Sequence, residues 1–133
     1  MVIATDTHAL VYHVVGQTRK LGRRARVVFD RVERGFDTLL IPFTVLEEVM
    51  LLSEIGKVHL PMPFRDLLIS FMRADNFDLG VNDAQLLLEA ASLTGTQDPY
   101  DRLIVAQARL AGVPLLTGDE EIQESQLVRT VWD

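Results

Sequence analysis

Short apolar runs alternate along this chain with longer segments whose apolar residues recur at helical spacing. The first run, Val2-Ile3-Ala4-Thr5, is typical of a buried strand, and Thr38-Leu39-Leu40-Ile41 repeats the pattern. We predict strands at 2–5, 38–41, 77–80 and 115–117, and an edge strand at 128–132. We predict helices over 6–15, 23–34, 44–55, 64–72 and 98–111, and one capped by Asn82 that has Ala84, Leu87, Leu88 and Ala91 on one face.

Strands separated by helices imply a parallel sheet with helices on both of its faces. We therefore predict an α/β fold of three layers, α/β/α, with a central parallel sheet of four or five strands and right-handed connections. The chain has 133 residues, of which 48% are hydrophobic, and this is ample for one core. A single domain over residues 1–133 is the expectation.

Composition removes several classes of chemistry. The chain has no cysteine, which excludes disulfide scaffolds, cysteine nucleophiles and thiolate zinc sites. No basic segment followed by a long apolar stretch opens the chain, and no apolar run approaches the roughly 18 residues of a membrane-spanning helix. We expect a soluble cytoplasmic protein.

Charge is distributed unevenly along the chain. The formal net charge is −6, yet residues 1–34 hold seven Lys/Arg and only three Asp/Glu. The densest basic segment is Arg19, Lys20, Arg23, Arg24 and Arg26. A solvated helix explains this segment, and a surface that follows a phosphate backbone is the alternative.

Two aspartates follow strand candidates at opposite ends of the chain. Asp6 comes directly after the first strand, and Asp119 follows Thr117-Gly118 after the strand at 115–117. Ligands of open α/β sheets bind beyond the carboxyl ends of the strands. Two carboxylates there predict an acidic pocket for a hard cation, although Asp119 is equally suited to capping a short helix.

Adjacent glutamates in the helix at 44–55 differ in their surroundings. Thr44 and Glu47 fit a capping box, in which both side chains bind free backbone donors. Glu48 instead falls between Val45 and Leu52 on the apolar face. A buried carboxylate requires a partner, a proton or a metal, so Glu48 either pairs with an arginine, lies at the margin of the core, or has a function.

The segment Asp98-Pro99-Tyr100-Asp101-Arg102 opens another helix. Asp98 is a natural N-cap, and Pro99 suits the first helical position. Asp101 precedes an almost wholly apolar helix, whose first turn should point over the end of the sheet. We expect Asp101 to be the functional acid and Asp98 to be a cap or an alternative ligand. Together with Asp6, Glu48 and Asp119, Asp101 predicts a carboxylate cage for Mg²⁺ or Mn²⁺, because such a cluster repels itself without a cation.

The residues now match a known family. The chain resembles the PIN-domain ribonucleases, particularly the VapC-like toxins of type II toxin–antitoxin systems. The resemblance rests on Asp6-Thr7-His8-Ala9-Leu10, on Glu48-Val49-Met50-Leu51-Leu52 followed by Gly56-Lys57-Val58, on the run from Asp98 to Ala108, and on Leu115-Leu116-Thr117-Gly118-Asp119.

This resemblance implies a parallel-sheet fold, a divalent metal and hydrolysis of RNA phosphodiester bonds. It assigns Asp6, Glu48, Asp101 and Asp119 as catalytic metal-binding acids, and Thr117 as a hydroxyl that orients a carboxylate or a metal-bound water. His8 matches a common family residue, but we expect a packed histidine. The chain departs from many relatives at Tyr12 and Glu47, where they have tryptophan.

The resemblance also implies partners: an RNA substrate, a cognate antitoxin and a second copy of the chain. Leu46, Met50, Leu51 and the helix between Met62 and Met72 offer apolar surface for a homodimer, and the core is an equal alternative for each of them. Two other functions stay open, a PIN-fold binding module without activity, and a carboxylate-metal phosphatase or nuclease with a substrate other than RNA.

Overall fold

The computed structural model describes residues 1–94, 96 and 98–133. Those residues contain one sheet of five parallel strands, namely β1 (Val2–Thr5), β2 (Thr38–Ile41), β3 (Phe77–Leu79), β4 (Leu115–Leu116) and β5 (Thr130–Val131). The strand order is β3-β2-β1-β4-β5, and every pairing is parallel. The predicted α/β fold with a parallel sheet is confirmed.

Seven α-helices and one short 3₁₀ turn (Thr18–Lys20) join these strands in the described part of the chain. The helices are α1 (Thr7–Val14), α2 (Arg23–Glu33), α3 (Phe43–Glu54), α4 (Phe64–Arg73), α5 (Ala84–Ser92), α6 (Pro99–Ala111) and α7 (Glu120–Ser125). They flank the sheet and complete the predicted α/β/α layers. No helix among the described residues has the length and apolarity to cross a membrane.

The middle strand, β1, positions the site. Ala4 is in register with Leu40 on one side and with Leu115 on the other. The backbone N–H of Asp6 then donates to the carbonyl of Leu116 at 3.0 Å. Because all strands run the same way, the residues after β1 and β4 lie at the same edge of the sheet.

The core is formed by the strands and the inward faces of the helices. Ile3, Leu39 and Leu115 of the sheet are fully buried. Each flanking helix adds buried side chains at helical spacing, including Leu10 of α1, Phe29 of α2, Val45 of α3 and Ile104 of α6. This core fixes the direction in which the first turns of the helices point.

Two local predictions are wrong at the start of α3. This helix begins after Pro42, and no side chain caps it, so the proposed capping box of Thr44 and Glu47 is absent. Thr44 is buried, while the exposed Glu47 receives only a long contact of 3.4 Å from the amide of Asn82. Pro42 is the N-cap, with an extended ψ of 141°, and the helix starts at Phe43, one residue before the predicted start.

The prediction for α5 is also wrong in two respects. Asp83, not Asn82, caps the helix, because its Oδ1 accepts from the backbone N–H of Leu86 at 3.0 Å. The buried face consists of Leu86 and Ala90, whereas Leu87 and Leu88 are 60% and 75% exposed. The predicted apolar face therefore points to solvent.

Candidate active site

Asp6 is held at the junction of β1 and α1. It caps α1, with its Oδ1 accepting from the backbone N–H of Ala9 at 2.9 Å. Burial raises the pKa of Asp6, and hydrogen bonds from Thr117 and Ala9 offset part of this rise. The carboxylate is thus buried at the sheet edge and fixed in position.

Thr117 and Asp119 follow β4 at the same edge. The buried Thr117 hydroxyl accepts from the backbone N–H of Asp119 at 3.1 Å, and the Thr117 side chain also hydrogen-bonds Asp6. Asp119 is exposed and caps α7 through the backbone N–H of Ile122 at 3.1 Å. The capping role considered for Asp119 is real, and it coexists with a position beside Asp6.

Glu48 comes from α3 and is half-buried. In the described structure its Oε1 accepts a short hydrogen bond of 2.6 Å from the Thr7 hydroxyl, so the partner is a threonine rather than an arginine. Thr7 is buried and opens α1 directly after Asp6. Sequence reasoning assigned no role to Thr7. Its position next to Asp6 was the one feature of the sequence that could have indicated a role at the site.

Asp98 and Asp101 lie at the start of α6. Asp98 is the N-cap as predicted, since its Oδ1 accepts from the backbone N–H groups of Tyr100 and Asp101 at 2.8 and 3.1 Å. Asp101 is half-buried, and its pKa is raised to about 7. The causes are burial first and then the nearby charges of Asp98, Asp119, Asp6 and Glu48. Carboxylates from four separate segments therefore converge on Asp101.

The carboxylates around Asp101 do not form a complete metal-binding site by themselves. Across residues 1–94, 96 and 98–133, no group of three His, Asp or Glu side chains is arranged to hold a metal ion. The acids repel one another, and three of them are engaged in helix capping. The donor chemistry still fits Mg²⁺ or Mn²⁺, because these ions accept carboxylate oxygens and retain several waters, so that one or two direct ligands suffice.

A pocket of about 300 Å³ opens beside Asp6 and Asp119. We name it the aromatic pocket; its other lining residues are His8, Tyr12, Lys20, Gly118 and Trp132. His8 is exposed here, so the expectation of a packed histidine is wrong. Helix α1 turns its His8 position toward the pocket, while Ala9 and Leu10 face the core.

The basic segment is exposed and adjoins this pocket at one residue. Arg19 and Lys20 lie in the 3₁₀ turn, and Arg23, Arg24 and Arg26 lie on the first turns of α2. Among these residues, Lys20 lines the aromatic pocket. A positive surface thus begins where the acidic edge of the sheet ends.

Fold and site together define the class: a parallel α/β protein with carboxylates gathered at the carboxyl edge of its sheet. The family follows from the sequence, since the model of the PIN domain matches residues 3–126. The chain belongs to the PIN domain family.

Solved structures share this fold at low sequence identity. The chain is similar to VapBC2 from Rickettsia felis bound to a promoter DNA fragment, with TM-score 0.70, 15% identity and 100% of both chains covered. It is similar to DNA-bound VapBC from Salmonella typhimurium, with TM-score 0.69, 16% identity and coverage of 98% and 97%. A toxin–antitoxin complex from Klebsiella pneumoniae gives TM-score 0.59 and 18% identity, with 88% of this chain and 86% of that one covered. No curated protein sequence matches the chain.

Proposed function

We propose that this protein is a ribonuclease that depends on Mg²⁺ or Mn²⁺, and that it is the toxin of a toxin–antitoxin pair acting in the cytoplasm. Membership of the PIN domain family supports a nuclease, and the shared fold with toxin–antitoxin structures supports the toxin role.

One observation carries the proposal. Asp101 is surrounded by carboxylates from β1, α3, the start of α6 and the end of β4, and these charges raise its pKa together with burial. Folding alone gains nothing from collecting like charges, because each carboxylate disfavours the ionised form of the others. A bound divalent cation reverses this penalty.

The residues have distinct parts in the proposed reaction. Asp6, Asp101 and Asp119 hold the cation directly or through water, and Asp98 is an alternative ligand beside them. Glu48, oriented by the Thr7 hydroxyl, either binds the cation or accepts a proton from the attacking water. The Thr117 side chain holds Asp6 in place. When bound, the cation supplies Lewis-acid stabilisation of the negative charge that develops on the phosphate.

The proposal includes three partners. Single-stranded RNA is the substrate, a cognate antitoxin covers the site, and a second copy of the chain forms a homodimer. The basic segment from Arg19 to Arg26 would contribute to RNA affinity through its positive charge.

The test compares wild type with Asp6→Asn on a pool of RNA in Mg²⁺, in Mn²⁺ and with a chelator. Asparagine preserves the N-cap of α1 but removes the charge. Asp83→Asn is the matched control, because Asp83 caps α5 in the same way and is exposed away from the cluster. We expect cleavage by wild type and Asp83→Asn that the chelator stops, and none by Asp6→Asn.

The outcomes separate the rivals. Equal cleavage by Asp6→Asn and wild type would refute the metal site. Cleavage of DNA or of phosphomonoesters in place of RNA would support a carboxylate-metal nuclease or phosphatase whose substrate is not RNA. Wild type that neither binds Mn²⁺ nor cleaves any RNA would support a binding module.

A further inference from the structure

Trp132 is the only tryptophan of the chain, and its indole ring is seated on two glycines. A Cβ added to Gly118 would lie 2.6 Å from its Cε2 and 2.8 Å from its Cζ2. A Cβ added to Gly22 would lie 2.8 Å from its Cδ1. The indole ring therefore forms one wall of the pocket beside Asp119. It fits there because Gly118 and Gly22 have no side chains.

The backbone of Trp132 also fixes the basic segment. Helix α2 begins after Gly22, which has no side chain to cap it. The carbonyl of Trp132 takes that place and accepts from the backbone N–H of Ala25 at 3.0 Å. The first turns of α2 carry Arg23, Arg24 and Arg26. Trp132 therefore contacts the start of this basic helix through its carbonyl and lines the pocket beside Asp119 with its ring.

Residues of α1 and of the 3₁₀ turn also line the aromatic pocket. The rings of His8 and Tyr12 lie one helical turn apart, with centroids 6.2 Å apart and tilted by 46°. The Lys20 ammonium lies 5.4 Å from the centroid of the Tyr12 ring. The pocket thus presents aromatic rings, the exposed Lys20 ammonium, and the carboxylates of Asp6 and Asp119.

We propose that the aromatic pocket is the subsite for one nucleotide next to the scissile phosphate, in which the base stacks on Tyr12 or Trp132 and Lys20 contacts the phosphate. This inference rests on the proposed function, because it names the part of the RNA that the same site receives. Its volume of about 300 Å³ is at the lower end of small-ligand sites, which span roughly 300–1,000 Å³.

The chemistry of the pocket favours single-stranded nucleic acid. Every base has a π-face, so stacking on aromatic side chains binds it with little dependence on sequence. Lysine binds phosphate as a point charge and releases counterions. Packing alone accounts for neither Lys20 nor His8, because both are exposed.

Trp132 supplies the readout, since a single tryptophan in the pocket reports binding there by its fluorescence. The probe is a nuclease-resistant 2′-O-methyl hexanucleotide, titrated in Mg²⁺, and the same oligonucleotide made abasic at each position in turn. Tyr12→Leu and Lys20→Met are compared with Phe36→Leu and Lys57→Met, which remove an exposed aromatic ring and an exposed charge outside the pocket.

We expect the oligonucleotide to change the Trp132 fluorescence. Tyr12→Leu should raise the Kd roughly tenfold, and this loss should disappear when one particular base is absent. Lys20→Met should lower the slope of log K against log salt by about one. Phe36→Leu and Lys57→Met should stay within about twofold of wild type.

Two results would overturn the subsite. One is RNA binding, seen by anisotropy of a labelled oligonucleotide, that leaves Trp132 fluorescence unchanged. The other is a Kd for Tyr12→Leu and Lys20→Met equal to that of the two controls. Metal-dependent cleavage in wild type alongside either result leaves the proposed function standing. Fluorescence-detected binding without any cleavage refutes the function and retains only the binding of a nucleotide in the pocket.

Discussion

Three of the acidic residues at the site cap a helix as well. Asp6 caps α1, Asp98 caps α6 and Asp119 caps α7, each through a side-chain oxygen that accepts a backbone N–H. Helix N-termini carry a partial positive charge that favours anions. The caps therefore offset part of the repulsion among the carboxylates, and a capping role for these residues is compatible with a functional one.

Removal of Asp101 should change the stability of the metal-free protein. Its pKa of about 7 lies above the usual 3.8, so the fold disfavours its charged form. Its contribution to stability is then fully present below pH 3.8 and is lost as the pH rises from there to about 7. We expect Asp101→Asn to raise the Tm of the metal-free protein at pH 8, to raise it less at pH 5, and to lower kcat by roughly a hundredfold or more.

Differential scanning calorimetry with a chelator at both pH values measures the first effect, and RNA cleavage in Mg²⁺ measures the second. Asp78→Asn is a suitable control, because Asp78 is an exposed aspartate in β3. A lower Tm for Asp101→Asn at pH 8 would contradict the repulsion described for this residue.

The hydrogen bond from Thr7 to Glu48 gives a second prediction. Thr7→Val keeps the shape of the side chain but leaves Glu48 without the donor that orients it. We expect kcat to fall roughly tenfold, with Mg²⁺ affinity nearly unchanged if Glu48 accepts the proton and reduced if it binds the cation. Isothermal titration calorimetry separates these two roles.

Thr44→Val is the matched control for that substitution, since Thr44 is also buried on an adjoining helix but receives only a long contact of 3.4 Å from Asn82. Equal kinetics of Thr7→Val and wild type would remove Thr7 from the site.

At the scale of elements, the alternation of apolar runs was sufficient to predict the sheet and most helix bounds. It failed at α5, because apolar residues lie on two different faces of this helix. Periodicity identifies both sets but does not say which one meets the core, and the structure buries Leu86 and Ala90 while exposing Leu87 and Leu88.

Some residues of the candidate site could likewise be identified from the sequence, and others could not. Asp6, Asp101 and Asp119 were identifiable because each stands at the end of a strand or the start of a helix. Thr7 and Trp132 were not, because their roles depend on contacts with segments far away in sequence, Glu48 for Thr7 and Gly22 for Trp132. Such contacts exist only once the helices are packed.

The packing of Trp132 against Gly118, in the loop after β4, can be tested by adding a methyl group at Gly118. Gly118→Ala would place its Cβ within 3.0 Å of three indole atoms, so the ring must move. We expect a loss of stability of about 1–3 kcal/mol, measured by urea unfolding. In a Trp132→Leu background the same substitution should cost much less, and an equal cost in both backgrounds would show that the indole is not the cause.

At the scale of the whole molecule, the outward face of α5 is an apolar surface suited to the proposed second copy of the chain. Leu87 and Leu88 are largely exposed on it, whereas Leu46, for which the sequence leaves a dimer surface and the core open, is buried in the core. Leu51 and Met62 are less exposed, at 44% and 39%, whereas Met72 of α4 is 65% exposed. Large exposed apolar side chains that cluster on one helix face are typical of interaction surfaces.

We expect Leu88→Glu to weaken a homodimer by about a hundredfold or more in Kd, as seen by light scattering across concentrations. Leu51→Glu, on α3, should leave the dimer intact. The reverse result would move the interface to α3.

The central position of β1 has a consequence for how the protein is made. This strand is synthesised first, but one of its two neighbours, β4, is formed by Leu115 and Leu116 near the other end of the chain. Non-local pairings of this kind form late, since the loop between them must close first. A chain truncated after Gly112 lacks β4 and Asp119, and we expect it to show neither cooperative unfolding by circular dichroism nor Mn²⁺ binding.

If such a chain did bind Mn²⁺ with native affinity, β4 would be unnecessary for the site. Otherwise, under the proposed ribonuclease function, the growing chain would remain inactive toward the RNA around it, including the ribosome that carries it, until β4 and Asp119 have been synthesised.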